Sequence, residues 1–145
     1  MTLCLLWPAV LPARYVQIDD SGTESMESSV NLRWKSLVPP RGGIDNTMIG
    51  SSTLRVRLDV SPWLRRNGRV YLYLPAQAPG PITMSWITHG RFMPGQIRSG
   101  SRVLIYSGAI VTPFLEDTLS LQYAVDGSLV DRAFPVTLRF EMDED

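Results

Sequence analysis

The sequence predicts an all-β fold: one antiparallel β-sandwich, immunoglobulin-like or jelly-roll-like, of about seven strands. Runs of alternating apolar and polar residues recur at intervals of about 10 to 15 residues, too short and too regular in period two to be helices. Eleven Gly and eleven Pro separate these runs, supplying the turns that such a fold needs. No segment carries the period of an amphipathic helix.

The first 13 residues are uncharged and mostly apolar, with Leu3, Leu5, Leu6, Trp7, Val10 and Leu11, and they end in Leu-Pro-Ala before Arg14. This has the length of the apolar core of an export signal but lacks its basic leader. The stretch is shorter than the ~20 apolar residues of a membrane-spanning helix, and Pro8 and Pro12 break helical continuity. No transmembrane span is expected. Residues 14–29 form an extended stretch and a polar linker. In the run from Asp19 to Ser29 only Met26 is apolar, too little to offset the entropy of ordering.

The sandwich domain spans residues 30–145. Val30, Leu32 and Trp34 alternate as a half-buried strand that ends at Pro39-Pro40, and a long polar loop follows to Ser52. Leu54, Val56, Leu58 and Val60 then alternate with Arg55, Arg57 and Asp59, one face on a core and one in water. Asn67-Gly68 has the residue types of a type I′ turn. It predicts a hairpin with Arg69–Leu74 as the second arm and a bend at Ser61-Pro62 in the first. Ile82, Met84 and Trp86 mark a further strand, with Trp34 and Trp86 on the core phase. The continuous apolar run Val103–Tyr106 suits a central strand. Leu119, Leu121, Tyr123 and Val125, then Asp126-Gly127, then Phe134–Phe140 read as a second hairpin, with a bulge near Ala133–Pro135 to restore the alternation.

Composition narrows the function. Fourteen basic and fourteen acidic residues give zero net charge, so bulk electrostatics does not point to nucleic acid. One Cys and one His exclude a disulfide framework and a Cys/His metal cluster, and no cofactor motif occurs. Thirteen of the fourteen basic residues are Arg, which reads as G+C-rich coding more than as selection for the planar guanidinium. His89 is the one imidazole, in a turn-rich stretch without a nucleophile elbow. Glu116-Asp117 is the one paired carboxylate before a clear strand; neighbours on an extended chain point to opposite faces, so the pair alone lacks the geometry of glycoside hydrolysis. Turn acids holding backbone donors are the plainer reading.

Residues 55–102 hold eight Arg against Asp59, a balance of +7, whereas residues 116–145 hold eight acids against Arg132 and Arg139, a balance of −6. These regions either pair across neighbouring strands or form two faces of opposite sign that favour association of subunits. Arg55, Arg57, Arg65, Arg66 and Arg69 are the candidate interaction surface. Trp63, Tyr71 and Tyr73 are candidate stacking platforms for a sugar, although such a Trp also serves as a lid on the core.

The sequence therefore predicts a non-enzymatic, extracytoplasmic (periplasmic or secreted) structural or adhesive subunit with no metal, cofactor or nucleic acid. Its partner is another protein or a second copy, engaged through strand edges or charged faces. The alternative is a carbohydrate-binding accessory module using Trp63, Tyr71 and Tyr73.

Overall fold

The computed structural model describes residues 14–25, 30–31, 33–34, 47–76, 81–126, 133–134 and 137–144. The apolar segment 1–13, Pro39-Pro40, Gly127 and Val136 lie outside the described residues. The strands in chain order are β1 (Tyr15–Gln17), β2 (Glu24–Ser25), β3 (Val30–Asn31), β4 (Arg33–Trp34), β5 (Thr47–Asp59), β6 (Asn67–Leu74), β7 (Ile82–Thr88), β8 (Gly95–Arg98), β9 (Ser101–Ala109), β10 (Phe114–Asp126), β11 (Ala133–Phe134) and β12 (Arg139–Asp143). They build an antiparallel β-sandwich. One sheet has the order β1-β12-β6-β9; the larger has the order β2-β5-β10-β7-β8, with β4 also on β5, and β3 pairs with β11.

Alternation along the strands makes the core. Val56 and Leu58 of β5, Leu115, Leu119 and Leu121 of β10, and Met84 and Trp86 of β7 point inward from the larger sheet. Val70, Leu72 and Leu74 of β6 with Phe140 and Met142 of β12 meet them from the other sheet. The Trp86 indole N–H donates to the Met93 carbonyl at 2.9 Å, so its polar edge is satisfied within the fold. Trp34 departs from the predicted core phase: it is 41% exposed, because β4 is a two-residue strand at the sheet's edge. In the opposite direction, the predicted polar loop before Thr53 is partly strand. Thr47–Ser52 extend β5, drawn into the ladder by pairing with Leu121–Asp126 of β10.

The predicted hairpins do not form. β5 and β6 lie in different sheets, and the chain passes between them through a short 3₁₀ turn at Ser61–Trp63 and Arg65, whose φ is 66°. Asn67 and Gly68 open β6 rather than turn the chain. Gly68 faces inward, where an added Cβ would stand 3.0 Å from Met142 Sδ and 3.2 Å from Ile110; its glycine is demanded by packing, not by backbone twist. Likewise β10 pairs with β5 and β7, while β12 lies in the other sheet between β1 and β6. The run Val103–Tyr106 belongs to an edge strand. A bulge in β9 skips Ile105 in the register, with Leu104 opposite Tyr71 and Tyr106 opposite Val70. Ile105 and Tyr106 thus pack on the core together, which accounts for the unbroken apolar stretch.

Residues 14–25 strap one open side of the sandwich. β1 lies on β12, the Ile18 N–H donates to the Phe140 carbonyl at 2.8 Å, and the Asp59 N–H donates to the Asp19 carbonyl at 2.9 Å. β2 then joins β5 in the other sheet. The Ser21 backbone N–H on its carboxylate holds Asp19 below the usual carboxylate range. Ile18 is 1% exposed and plugs the gap between the sheets. Ile18→Ala is expected to lower the unfolding free energy by about 2–5 kcal/mol, read from urea denaturation monitored by tryptophan fluorescence.

Candidate functional site

The outer face of the larger sheet is built from the outward phase of its three longest strands. On β5 this phase carries Ser51, Thr53, Arg55 and Arg57; on β10 it carries Gln122, Ser120, Thr118 and Glu116; on β7 it carries Ser85 and Ile87. Antiparallel register sets them in rungs. Ser51 stands opposite Gln122, Gln122 opposite Ser85, and Ser85 opposite Gln96 of β8. In the next rung Thr53 stands opposite Ser120, and Ser120 opposite Ile87. Ile87 is 61% exposed. Because these side chains are short, they leave a depression of about 460 Å³.

The face turns ionic toward the start of β10. A second depression of about 530 Å³ is lined by Glu24, Arg55, Arg57, His89, Glu116 and Thr118 among others. Arg57 Nε lies 3.1 Å from Glu116 Oε1, and its guanidinium covers the Phe114 ring at 4.1 Å. His89 Nε2 lies 3.3 Å from the Ser120 hydroxyl, linking the two depressions.

Asp117 explains why His89 sits there. It points inward, is 8% exposed, and accepts the backbone N–H groups of His89 (3.1 Å), Phe92 (2.9 Å) and Thr118 (2.6 Å). A carboxylate engaged by three backbone donors fixes the loop that follows β7. Gly90 closes on the same group, since an added Cβ would stand 3.1 Å from the Asp117 carboxyl carbon. Glu116 and Asp117 therefore stand on opposite faces of β10, the first paired with Arg57 and the second holding a turn.

The other sequence candidates are dispersed. Trp63 is 9% exposed, packs with the core and donates its indole N–H to Glu144 Oε1 at 3.1 Å, so it is turned away from solvent. Tyr71 and Tyr73 lie on the outer face of the smaller sheet with their rings already engaged. Tyr15 meets Tyr71 edge-on at 5.3 Å, and Arg102 stacks 4.3 Å from Tyr73 and 4.6 Å from Tyr15. Arg102 also donates to Glu141 at 3.0 Å. The cluster of Tyr15, Glu141, Tyr71, Tyr73 and Arg102 takes side chains from all four strands of that sheet. Arg55 and Arg57 share no face with the two tyrosines, as β5 and β6 are in different sheets. Arg69 pairs with Asp143 at 2.9 Å, and Arg65 and Arg66 are exposed at the corner before β6.

Sequence reasoning found Arg55 and Arg57 but missed Ser51, Thr53, Ser85, Ser120 and Gln122. Their signal was present as small polar residues on the outward phase, but only strand order shows that they share one surface. Among the described residues, no group of three or more His, Cys, Asp or Glu is placed to hold a metal ion, and no helix is long and apolar enough to cross a membrane. The chain matches no family model, and no curated protein or solved structure gives a significant match.

The two neighbouring acids are expected to differ sharply on substitution. Asp117→Ala strands buried N–H groups and lowers stability by roughly 3 kcal/mol, whereas Glu116→Gln, which breaks an exposed pair, changes it by less than about 1 kcal/mol. Chemical denaturation of both variants checks this.

Proposed function

We propose that the chain is a non-enzymatic, extracytoplasmic subunit of a bacterial structural or adhesive assembly, and that it associates through the edge of its smaller sheet. The observation that carries this reading is β9. It is nine residues long and ends its sheet, whereas the other terminal strands of the two sheets have three, two and four residues. β6 lies on one side of it. On its other side the loop after β7 meets it at Ile105, whose carbonyl accepts the Met93 N–H at 2.7 Å. Residues 106–109 continue beyond that point, and a sheet edge is a template for an incoming strand.

The chemistry of the acids supports a binding role over a catalytic one. Glu116, Asp117, Glu141, Asp143 and Glu144 each hold an Arg, an indole or backbone N–H groups of the same chain. The basic and acidic regions of the sequence meet within the fold, through Arg57–Glu116, Arg69–Asp143 and Arg102–Glu141. This favours association by strand edges over association by faces of opposite sign. The extracytoplasmic placement rests on the signal-like apolar stretch read from the sequence.

Light scattering of the full chain over a concentration series, at low and high salt, tests the proposal. The expected result is a concentration-dependent oligomer whose mass is unchanged when salt screens surface charge. Ser107→Lys, an added charge at an exposed position of β9, is expected to shift the equilibrium toward monomer. A monomer at every concentration overturns self-assembly, and an oligomer that dissociates in salt returns the interface to the charged faces.

A further inference from the structure

The two outer faces of the sandwich differ in what they leave to a ligand. The smaller sheet's face is crossed by Arg102–Glu141, Arg69–Asp143 and the stacked tyrosines. Away from its Arg57–Glu116 pair, the larger sheet's face presents hydroxyls and an amide around the exposed Ile87. We propose that the depression over β5, β10 and β7 is a binding site for a neutral oligosaccharide, and that it acts independently of the edge association proposed above.

The lining carries the argument. The side chains reaching the depression from the outward phase are Ser51, Thr53, Ser85, Ile87, Ser120 and Gln122, none of which is ionisable. Serine, threonine and glutamine side chains each donate and accept hydrogen bonds, as do the hydroxyls of a sugar. Phosphates and carboxylates are favoured by cations, which the lining of this depression lacks. Ile87, 61% exposed in the rung of Thr53 and Ser120, offers an apolar surface to the C–H face of a sugar ring. His89 holds the Ser120 hydroxyl from the side, at 3.3 Å.

The dimensions fit the same class. The depression measures about 460 Å³, within the range of roughly 300–1,000 Å³ typical of small-ligand sites. The lining crosses three strands, from Ser51 of β5 through Gln122 of β10 to Ser85 of β7, and at about 4.8 Å per strand it extends for roughly 10 Å. That length suits a pair of linked sugars. Arg55, Arg57 and Glu116 stand farther along β5 and β10 than Thr53 and Ser120, so an ionic rim borders the depression along one side, parallel to the rungs.

The test is a titration of the isotopically labelled full chain followed by amide chemical shifts. The probes are β-1,3-linked and β-1,4-linked gluco-oligosaccharides, a galacto-oligosaccharide, and an acidic oligogalacturonate as control. The expected result is saturable shifts centred on residues 51–53, 85–87 and 120–122 with at least one neutral probe. Ser85→Arg, which fills the depression, and Ile87→Asp, at a position exposed enough to leave folding unchanged, are each expected to weaken binding by about tenfold or more. Both variants should keep the parent melting temperature. The proposal is overturned if no neutral probe shifts these amides, if the shifts centre on Tyr71 and Tyr73, if oligogalacturonate is preferred, or if both folded variants bind as the parent does. A chain that proves monomeric in light scattering leaves this result intact, so the two proposals fail separately.

Discussion

The pairing of β5 with β10 is the constraint on which the rest of the structure depends. Each strand has thirteen residues, and they are in register from Phe114 opposite Asp59 to Asp126 opposite Thr47. The partners are distant in sequence, so closing this ladder costs loop entropy that is recovered only when both inward faces are buried. Once it is made, β7 takes the far side of β10 and β2 and β4 take the far side of β5. β6 and β12 are then left to form the opposing sheet. The same ladder brings Arg57 to Glu116 and sets Asp117 beneath the loop after β7, so the local order of His89 follows from a long-range pairing.

That hierarchy accounts for what the sequence disclosed. Strand positions and inward phases were legible because burial imposes period two wherever one face is dry, as in Leu54–Val60 and Leu119–Val125. Partners were not legible. Asn67-Gly68 carries the residue types of a hairpin turn, yet Gly68 is small because Met142 and Ile110 crowd it, and a one-letter code does not distinguish the two reasons. Asp126-Gly127 likewise suggested neighbours that the fold places in different sheets. The run Val103–Tyr106 mimicked a central strand because a bulge turns Ile105 and Tyr106 inward together. Trp63 had two readings on sequence alone, and the Glu144 carboxylate that receives its N–H lies too far along the chain to be anticipated.

Charge gives a similar lesson. The sequence divides into a basic middle and an acidic end, and strand order brings the two together as neighbours. In Arg69–Asp143 and Arg102–Glu141 the acid is the more buried member: the Asp143 side chain is 5% exposed and the Glu141 side chain 10%, against 50% and 37% for Arg69 and Arg102, whereas the Arg57–Glu116 pair is open to solvent on both sides. A shielded carboxylate needs its cation more than an exposed one does, and Arg102 meets this need while its guanidinium lies against Tyr15 and Tyr73. The planar group can hydrogen-bond at its edge and stack on its face at once, which lysine would not do. Arginine at this position thus has a structural use whatever its origin in coding bias.

A binding surface spread over strands leaves little trace in a linear sequence. Ser51, Ser85 and Ser120 are separated by long stretches of chain, each looks like an ordinary solvated residue in its own strand, and no spacing joins them. Their meaning arises from register, which sets hydroxyls side by side and keeps charge to the end of the face. The opposite face shows the contrast. Its aromatic and charged residues resemble a recognition surface when read one at a time, but Arg102, Glu141 and the three tyrosines bind one another and fasten four strands together. A residue's type proposes a chemistry, and its neighbours decide whether that chemistry is already engaged. In this sandwich Trp63, Tyr71, Tyr73, Arg57 and Arg69, which look functional in sequence, are engaged by the fold, and the plain serines border the open depression.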